Sequence, residues 1–311
     1  MALKPLNIRN GRVLLPVFIL TSSLLLAVSL SPVGASEVNQ VGLTAVLIIL
    51  IGMPHGGLDI LMIGKLATLL GSNTSRHQSF ARTLSISTVY VLVALGAGAL
   101  WFVAPTSILI LFLLIASVHF SNDWVAESHK PTAISLAVFT ITASSVFHPQ
   151  LLERYFISLL LQPQNAAATV FSMQVGLIAS ILMIASRTFL GRFYLGNFYW
   201  LGALSLAAYV LPPLWYFCAY FCAVHSVMHT IHVQQTSLLT WTNIAKIVTL
   251  PMLATCVLLL CFYTYLPTES TASRLLQVVF IGLFALTIPH IILTVIYDAY
   301  FAFKLSKSSK Y

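Results

Sequence analysis

Residues 41–63, VGLTAVLIILIGMPHGGLDILMI, form an apolar run whose middle holds a proline, a histidine, two glycines and an aspartate. As a helix rising 1.5 Å per residue, the run is about 34 Å long, enough to cross the roughly 30 Å of hydrocarbon in a bilayer. Ionisable groups are costly there, so His55 and Asp59 mark function rather than packing. The stretch therefore reads as a membrane-crossing helix with chemistry at its centre.

The remainder of the chain agrees with that reading. Of 311 residues, 59% are hydrophobic and 7% are charged, against about 25% charged in an ordinary soluble domain. So few charges cannot cover a water-facing surface, and mean hydropathy is +0.95. The net charge of +8 comes from lysines and arginines scattered singly, with no basic stripe of the kind that binds nucleic acid. Cys218, Cys222, Cys256 and Cys261 lie in apolar runs without CxxC spacing, as small hydrophobes do.

The predicted fold is all-α: a single polytopic membrane helical bundle over residues 1–311. Its ten spans lie near 13–30, 41–63, 80–103, 106–124, 131–147, 166–187, 194–211, 214–233, 244–265 and 275–300. Turn chemistry separates them: Ser31-Pro32, Gly71-Ser72-Asn73, Pro105, Lys130-Pro131, Pro149, Pro163, Gly191, Pro212-Pro213, Asn243 and Pro267. The apolar piece 151–161 is too short to cross and reads as interfacial. With both termini cytoplasmic, the inner side holds Lys4, Arg9, Arg12, Lys65, Arg76, Arg82, Lys130, Arg187, Arg192, Lys246, Lys304, Lys307 and Lys310, and the outer side only Arg154 and Arg274. This asymmetry obeys the positive-inside rule and places the chain in the inner or plasma membrane as a multi-pass protein. Residues 1–35 also fit a signal peptide ending at Val33-Gly34-Ala35, and its removal would leave nine spans.

The intramembrane polar residues are not scattered. Pro54-His55-Gly56-Gly57 with Asp59, His119-Phe120 with Asp123, His225 with His229 and His232, and Pro289-His290 fall on the even-numbered spans. In this map His55, His119, His225, His229 and His290 all lie roughly 2–8 Å to the cytoplasmic side of the midplane. His225 and His229, at i and i+4, share a helix face and suit one metal ion. His55, His119, His225 and His229 are the candidate ligands. His290 is a further ligand or a supporting residue, whereas His77, His129 and His148 lie in loops. Imidazole suits iron, copper, nickel and zinc. Asp59 and Asp123, each one turn past a histidine, are placed to balance the ion's charge and orient imidazoles. Pro54 and Pro289 are candidate kinks, and Gly56 and Gly57 permit close approach of a backbone or ligand.

Aromatic residues make up 12% of the chain. Trp124, Trp200, Trp215 and Trp241 lie near span ends and suggest an interfacial belt. Phe120, Tyr216, Phe217, Tyr220 and Phe221 lie nearer the histidines and are candidates to line a channel for a long apolar substrate entering from lipid.

In order and content, Pro54-His55-Gly56 with Asp59, His119-Phe120 with Asp123, His225-Ser226 with His229, and Pro289-His290 resemble the Brp/Blh family of bacterial and archaeal β-carotene 15,15′-dioxygenases. The resemblance spans residues 54–290. It implies an Fe(II) site at His55, His119, His225 and His229, with two coordination positions left for dioxygen and substrate. It also implies central cleavage of β-carotene, or a related carotenoid, by O₂ into two retinals, with a rhodopsin as a possible acceptor. The sequence departs from the family where Phe-Ser-Asn-Asp follows His119, and the first span reads as an extension. No acid–base residue separate from the metal site is expected. A transporter or channel with a midplane histidine cluster, and a haem-binding electron carrier, are the alternative classes.

Overall fold

The computed structural model describes residues 11–34, 36–70, 76–124, 129–268 and 270–308. Lys4, Arg9 and Lys310, Ala35 of the candidate cleavage site and the Gly71-Ser72-Asn73 turn lie outside them. Among the described residues every regular element is a helix. In chain order these are α1 (Gly11–Ser29), α2 (Glu37–Leu47), a π-helical turn π1 (Ile48–Gly52), α3 (Pro54–Gly57), α4 (Asp59–Leu69), α5 (Arg76–Val103), α6 (Pro105–Ser121), α7 (Lys130–Thr142) and α8 (Ser144–Phe147). There follow α9 (Pro149–Ser158), α10 (Pro163–Phe189), α11 (Leu195–Val210), α12 (Pro213–Tyr220), a second π turn π2 (Phe221–His225), α13 (Ser226–Ser237), α14 (Trp241–Tyr265) and α15 (Thr271–Ser308).

Five of the prolines that read as separators turn out to start helices. Pro105, Pro131, Pro149, Pro163 and Pro213 each occupy the first turn of their helix, where the missing N–H would have had no partner anyway. Gly191 ends α10 at φ +64°, and the Arg192 amide reaches back to the Arg187 carbonyl at 2.8 Å. Glycine takes that left-handed conformation without a Cβ penalty.

Among the described residues six helices are long and apolar enough to cross a membrane: Glu37–Leu69, His77–Val103, Lys130–Phe147, Pro163–Phe189, Trp241–Tyr265 and Thr271–Tyr297. Leu14–Ser29 and Pro105–Ser121 are shorter apolar helices. Helices also cover the predicted spans 194–211 and 214–233, but they are less apolar. α11 has only 16 residues, and the second carries His225, His229, His232, Gln234 and Gln235 on its C-terminal half. Outward faces are hydrocarbon, with Leu20, Leu24, Leu92, Leu182, Leu250 and Leu253 exposed. Within one layer of packed helices such exposure has no benefit in water; against lipid it costs nothing.

α15 packs along α5, α4 and α2, α7 along α6 and α10, and α1 against α11, α12 and π2. α1 is part of the core: Phe18 is fully buried and its ring lies 5.8 Å from Trp200. The tryptophans correct the interfacial-belt expectation. Trp124, Trp200 and Trp215 are buried and only Trp241 is exposed. Trp124 stacks 6.2 Å from Tyr220, and the Trp215 indole N–H donates to the Gln40 carbonyl at 3.1 Å. That bond ties α12 to α2, while Trp124 and Trp200 join the core through their rings, 5.4 Å apart.

Candidate metal centre

The two π turns pack against each other and each sets up a histidine. In π1 the Met53 amide reaches the Ile48 carbonyl, five residues back, at 2.7 Å. Pro54, whose ring crowds the preceding turn, follows directly. The expected Pro54 kink is therefore a widened turn, a common form of helix irregularity at functional sites. The Gly52 carbonyl at its end accepts from two side chains, the Ser226 hydroxyl at 3.3 Å and His55 Nδ1. A carbonyl can only accept, so His55 carries its proton on Nδ1 and its Nε2 lone pair is left available. Gly52 leaves no space for a side chain: a Cβ there would sit 2.6 Å from the Phe221 ring. Gly57 lets α14 approach, since its Cβ would lie 3.1 Å from Val248, whereas Gly56 faces open space.

Five imidazoles meet at one place. Ligand nitrogens of His119, His225 and His229 lie within 4.8 Å of one another. His55 joins them by ring contacts at 5.3 Å to His225, 5.7 Å to His229 and 5.8 Å to His290. His290 lies 5.4 Å from His119 and 5.9 Å from His229. His225 and His290 are buried.

Asp59 and Asp123 hold imidazoles, but not those of their own helices. The i, i+4 spacing pairs Asp59 with His55 and Asp123 with His119. In the structure His225 Nδ1 donates to Asp123 at 3.0 Å, and His290 Nδ1 donates to Asp59 at 2.8 Å. On a helix the two positions share a face, yet the carboxylates extend sideways to neighbouring helices, where a buried charge finds a better donor. Each carboxylate also accepts from a tyrosine: Tyr220 to Asp123 at 2.9 Å, and Tyr90 to Asp59 at 2.7 Å. The result is two Tyr–Asp–His chains, one built from α12, the turn after α6 and π2, the other from α5, α4 and α15. Tyr90 was not singled out from the sequence; a tyrosine inside an apolar span carries no signal by itself.

The donor set suits a first-row ion. In His55, His225 and His290 the Nδ1 proton is engaged, which fixes the tautomer with Nε2 as the lone-pair nitrogen. His290 Nε2 is buried with no hydrogen-bond partner among the described residues, an expense that an ion would relieve. The two carboxylates, each engaged with an imidazole and a tyrosine, would together balance the charge of a divalent cation.

The cluster opens on a cavity of about 980 Å³. All five aromatic candidates, Phe120, Tyr216, Phe217, Tyr220 and Phe221, line it. Phe120 lies 4.6 Å from the His225 ring and Phe221 stacks on it at 5.6 Å. Between α5 and α14 the wall consists of Leu95, Phe102, Leu250 and Leu258, which are also exposed on the outside of the bundle. Those residues bring the cavity to the apolar outer surface of the bundle along α5 and α14. His148 is remote from the cluster and contacts the Tyr209 carbonyl instead.

A family described as beta-carotene 15,15′-dioxygenase matches the chain over residues 46–298. A beta-carotene 15,15′-dioxygenase from uncultured marine bacterium 66A03 is 28% identical, over 79% of this chain and 90% of its own length. No solved structure matches the chain.

Proposed function

The chain belongs to the beta-carotene 15,15′-dioxygenase family, and from that premise we propose that it cleaves β-carotene, or a closely related carotenoid, at the central double bond to give two molecules of retinal. The observation that carries this reading is a histidine cluster opening onto an apolar cavity that reaches the apolar outer surface of the bundle. The cavity volume is at the upper end of the range for small-molecule sites, as a long polyene requires. The substrate dissolves in the bilayer, and entry along α5 and α14 spares it passage through water.

His55, His119, His225 and His229 would hold iron(II), which when bound supplies the activation of dioxygen. The reaction adds one O₂ across one C=C bond and leaves one oxygen atom in each aldehyde. It needs no external electrons and no proton donor, in keeping with a cavity in which Asp59 is occupied in holding His290. Asp123 and Asp59 orient imidazoles and balance charge. Phe120, Phe217 and Phe221 exclude water and offer flat apolar faces to the polyene. The Tyr155 and Tyr216 hydroxyls are buried in the cavity wall with no partner among the described residues, and they are the polar groups best placed to sense substrate identity.

We read the chain as crossing the membrane ten times with both termini cytoplasmic, since that arrangement alone gathers nearly all basic residues on one side. The haem alternative is disfavoured by the crowding of rings: neighbouring imidazoles occupy the plane that a porphyrin would need. Expression in a bacterial host that accumulates β-carotene tests the activity. Loss of pigment with appearance of retinal is expected; unchanged pigment with the protein present in the membrane fraction would overturn it.

A further inference from the structure

Five rings make ten pairs, and eight of these are in contact. His55 touches His225, His225 touches His119, His119 touches His290 and His290 touches His55, at 5.3, 4.9, 5.4 and 5.8 Å. These four contacts close a ring. His229 touches every member of it, at 5.7 Å from His55, 5.6 Å from His119, 5.1 Å from His225 and 5.9 Å from His290. The two pairs without contact, His55 with His119 and His225 with His290, are those opposite each other across the ring. This is the adjacency of a square pyramid, with His229 at the apex and four histidines in the base.

We propose that His290 is a fifth metal ligand, that His229 binds opposite the cavity, and that a single coordination position remains, directed into the cavity. The inference rests on the metal reading above and narrows it, since a four-histidine shell would leave two positions open. Three further observations agree. His290 Nε2 is buried and unpartnered, while its Nδ1 is held by Asp59. His55, His119, His225 and His290 line the cavity, and His229 does not, as expected of a ligand on the far side of the ion. The two Tyr–Asp–His chains end on His225 and His290, which are opposite corners of the base. One open position suits a hydrocarbon substrate that has no atom able to coordinate: the position serves a small molecule, and the polyene is placed by the cavity walls alone.

The test uses the full-length protein in detergent, stripped with a chelator and reloaded with cobalt(II). Metal content, d–d absorption and X-ray absorption are measured without any turnover. Wild-type protein is expected to hold one cobalt per chain with scattering from five imidazoles. His290→Ala should show four, bind cobalt at least about tenfold more weakly, and recover the wild-type spectrum when imidazole is supplied in solution. A histidine with only a structural role would show no such recovery. His290→Gln, which can still hydrogen-bond Asp59, should lose the same ring from the scattering. Four imidazoles in the wild type, or a His290→Ala spectrum and affinity equal to wild type, would overturn the fifth-ligand assignment while leaving the metal reading intact. Wild-type protein that takes up neither cobalt nor iron would sink the metal reading beneath it. The wild-type count decides by itself, so a variant that fails to fold does not remove the test.

Discussion

Asp123→Asn isolates the electrostatic part of the site at nearly constant shape. The carboxylate accepts from His225 Nδ1 at 3.0 Å and from the Tyr220 hydroxyl at 2.9 Å, and its side chain is 4% exposed. Both contacts fall on Oδ2, so an amide of the same size that places its oxygen there still accepts from the imidazole and from the tyrosine hydroxyl. What changes is charge. Bonds to an ionised group contribute about 1.5–3 kcal/mol and neutral ones about 0.5–1.5 kcal/mol, so two bonds lose roughly 2 kcal/mol together. At 1.4 kcal/mol per tenfold, this weakens metal binding by about thirtyfold, inside the roughly 10–100-fold span seen for partners of metal-bound histidines. Competition of the purified protein against a chelator of known affinity measures it, with size-exclusion chromatography as the check on folding. A folded Asp123→Asn protein within about threefold of wild type would refute the claim that the buried carboxylate tunes the imidazole.

Alanine at His225 or His229 should abolish retinal formation in a β-carotene-accumulating host, read by chromatography of extracted pigment. Gly57→Ala should lower stability by about 1–3 kcal/mol, because the new methyl meets Val248 at 3.1 Å. Gly56→Ala, with nothing within 4 Å, should be neutral or stabilising by up to about 1 kcal/mol; thermal unfolding in detergent distinguishes the two. Gly98→Leu fills the cavity wall between α5 and α15, and is expected to reduce carotenoid turnover by tenfold or more while metal content stays at the wild-type level. Tyr90→Phe removes one charge-assisted bond to Asp59, worth about 1.5–3 kcal/mol, and should weaken metal retention in the same chelator assay.

The helical character was legible because apolar runs of about 20 residues have one solution in lipid, and the helix starts were legible because proline is tolerated in a first turn. His55, His119, His225 and His229 stood out because histidine is rare and costly at that depth. Several features had no trace in the sequence. The pairing of Asp59 with His290 and of Asp123 with His225 depends on which helices are neighbours, and spacing along one helix cannot supply that. The same holds for Tyr90, and for the burial of Trp124, Trp200 and Trp215, whose positions near span ends carried no sign of their neighbours inside the bundle. Both π turns were invisible: one extra residue in a helical turn leaves composition and periodicity almost unchanged.

The hydrogen bond between Asp59 and His290 joins residues 231 positions apart. A ribosome releases α4 long before α15 exists, so during synthesis this carboxylate waits in a nascent bundle without its imidazole. α15 closes the pair, and the polar centre is finished only once 231 further residues have been made. Truncation within α15, far from the first histidine in sequence, therefore strikes the same centre as losing His55.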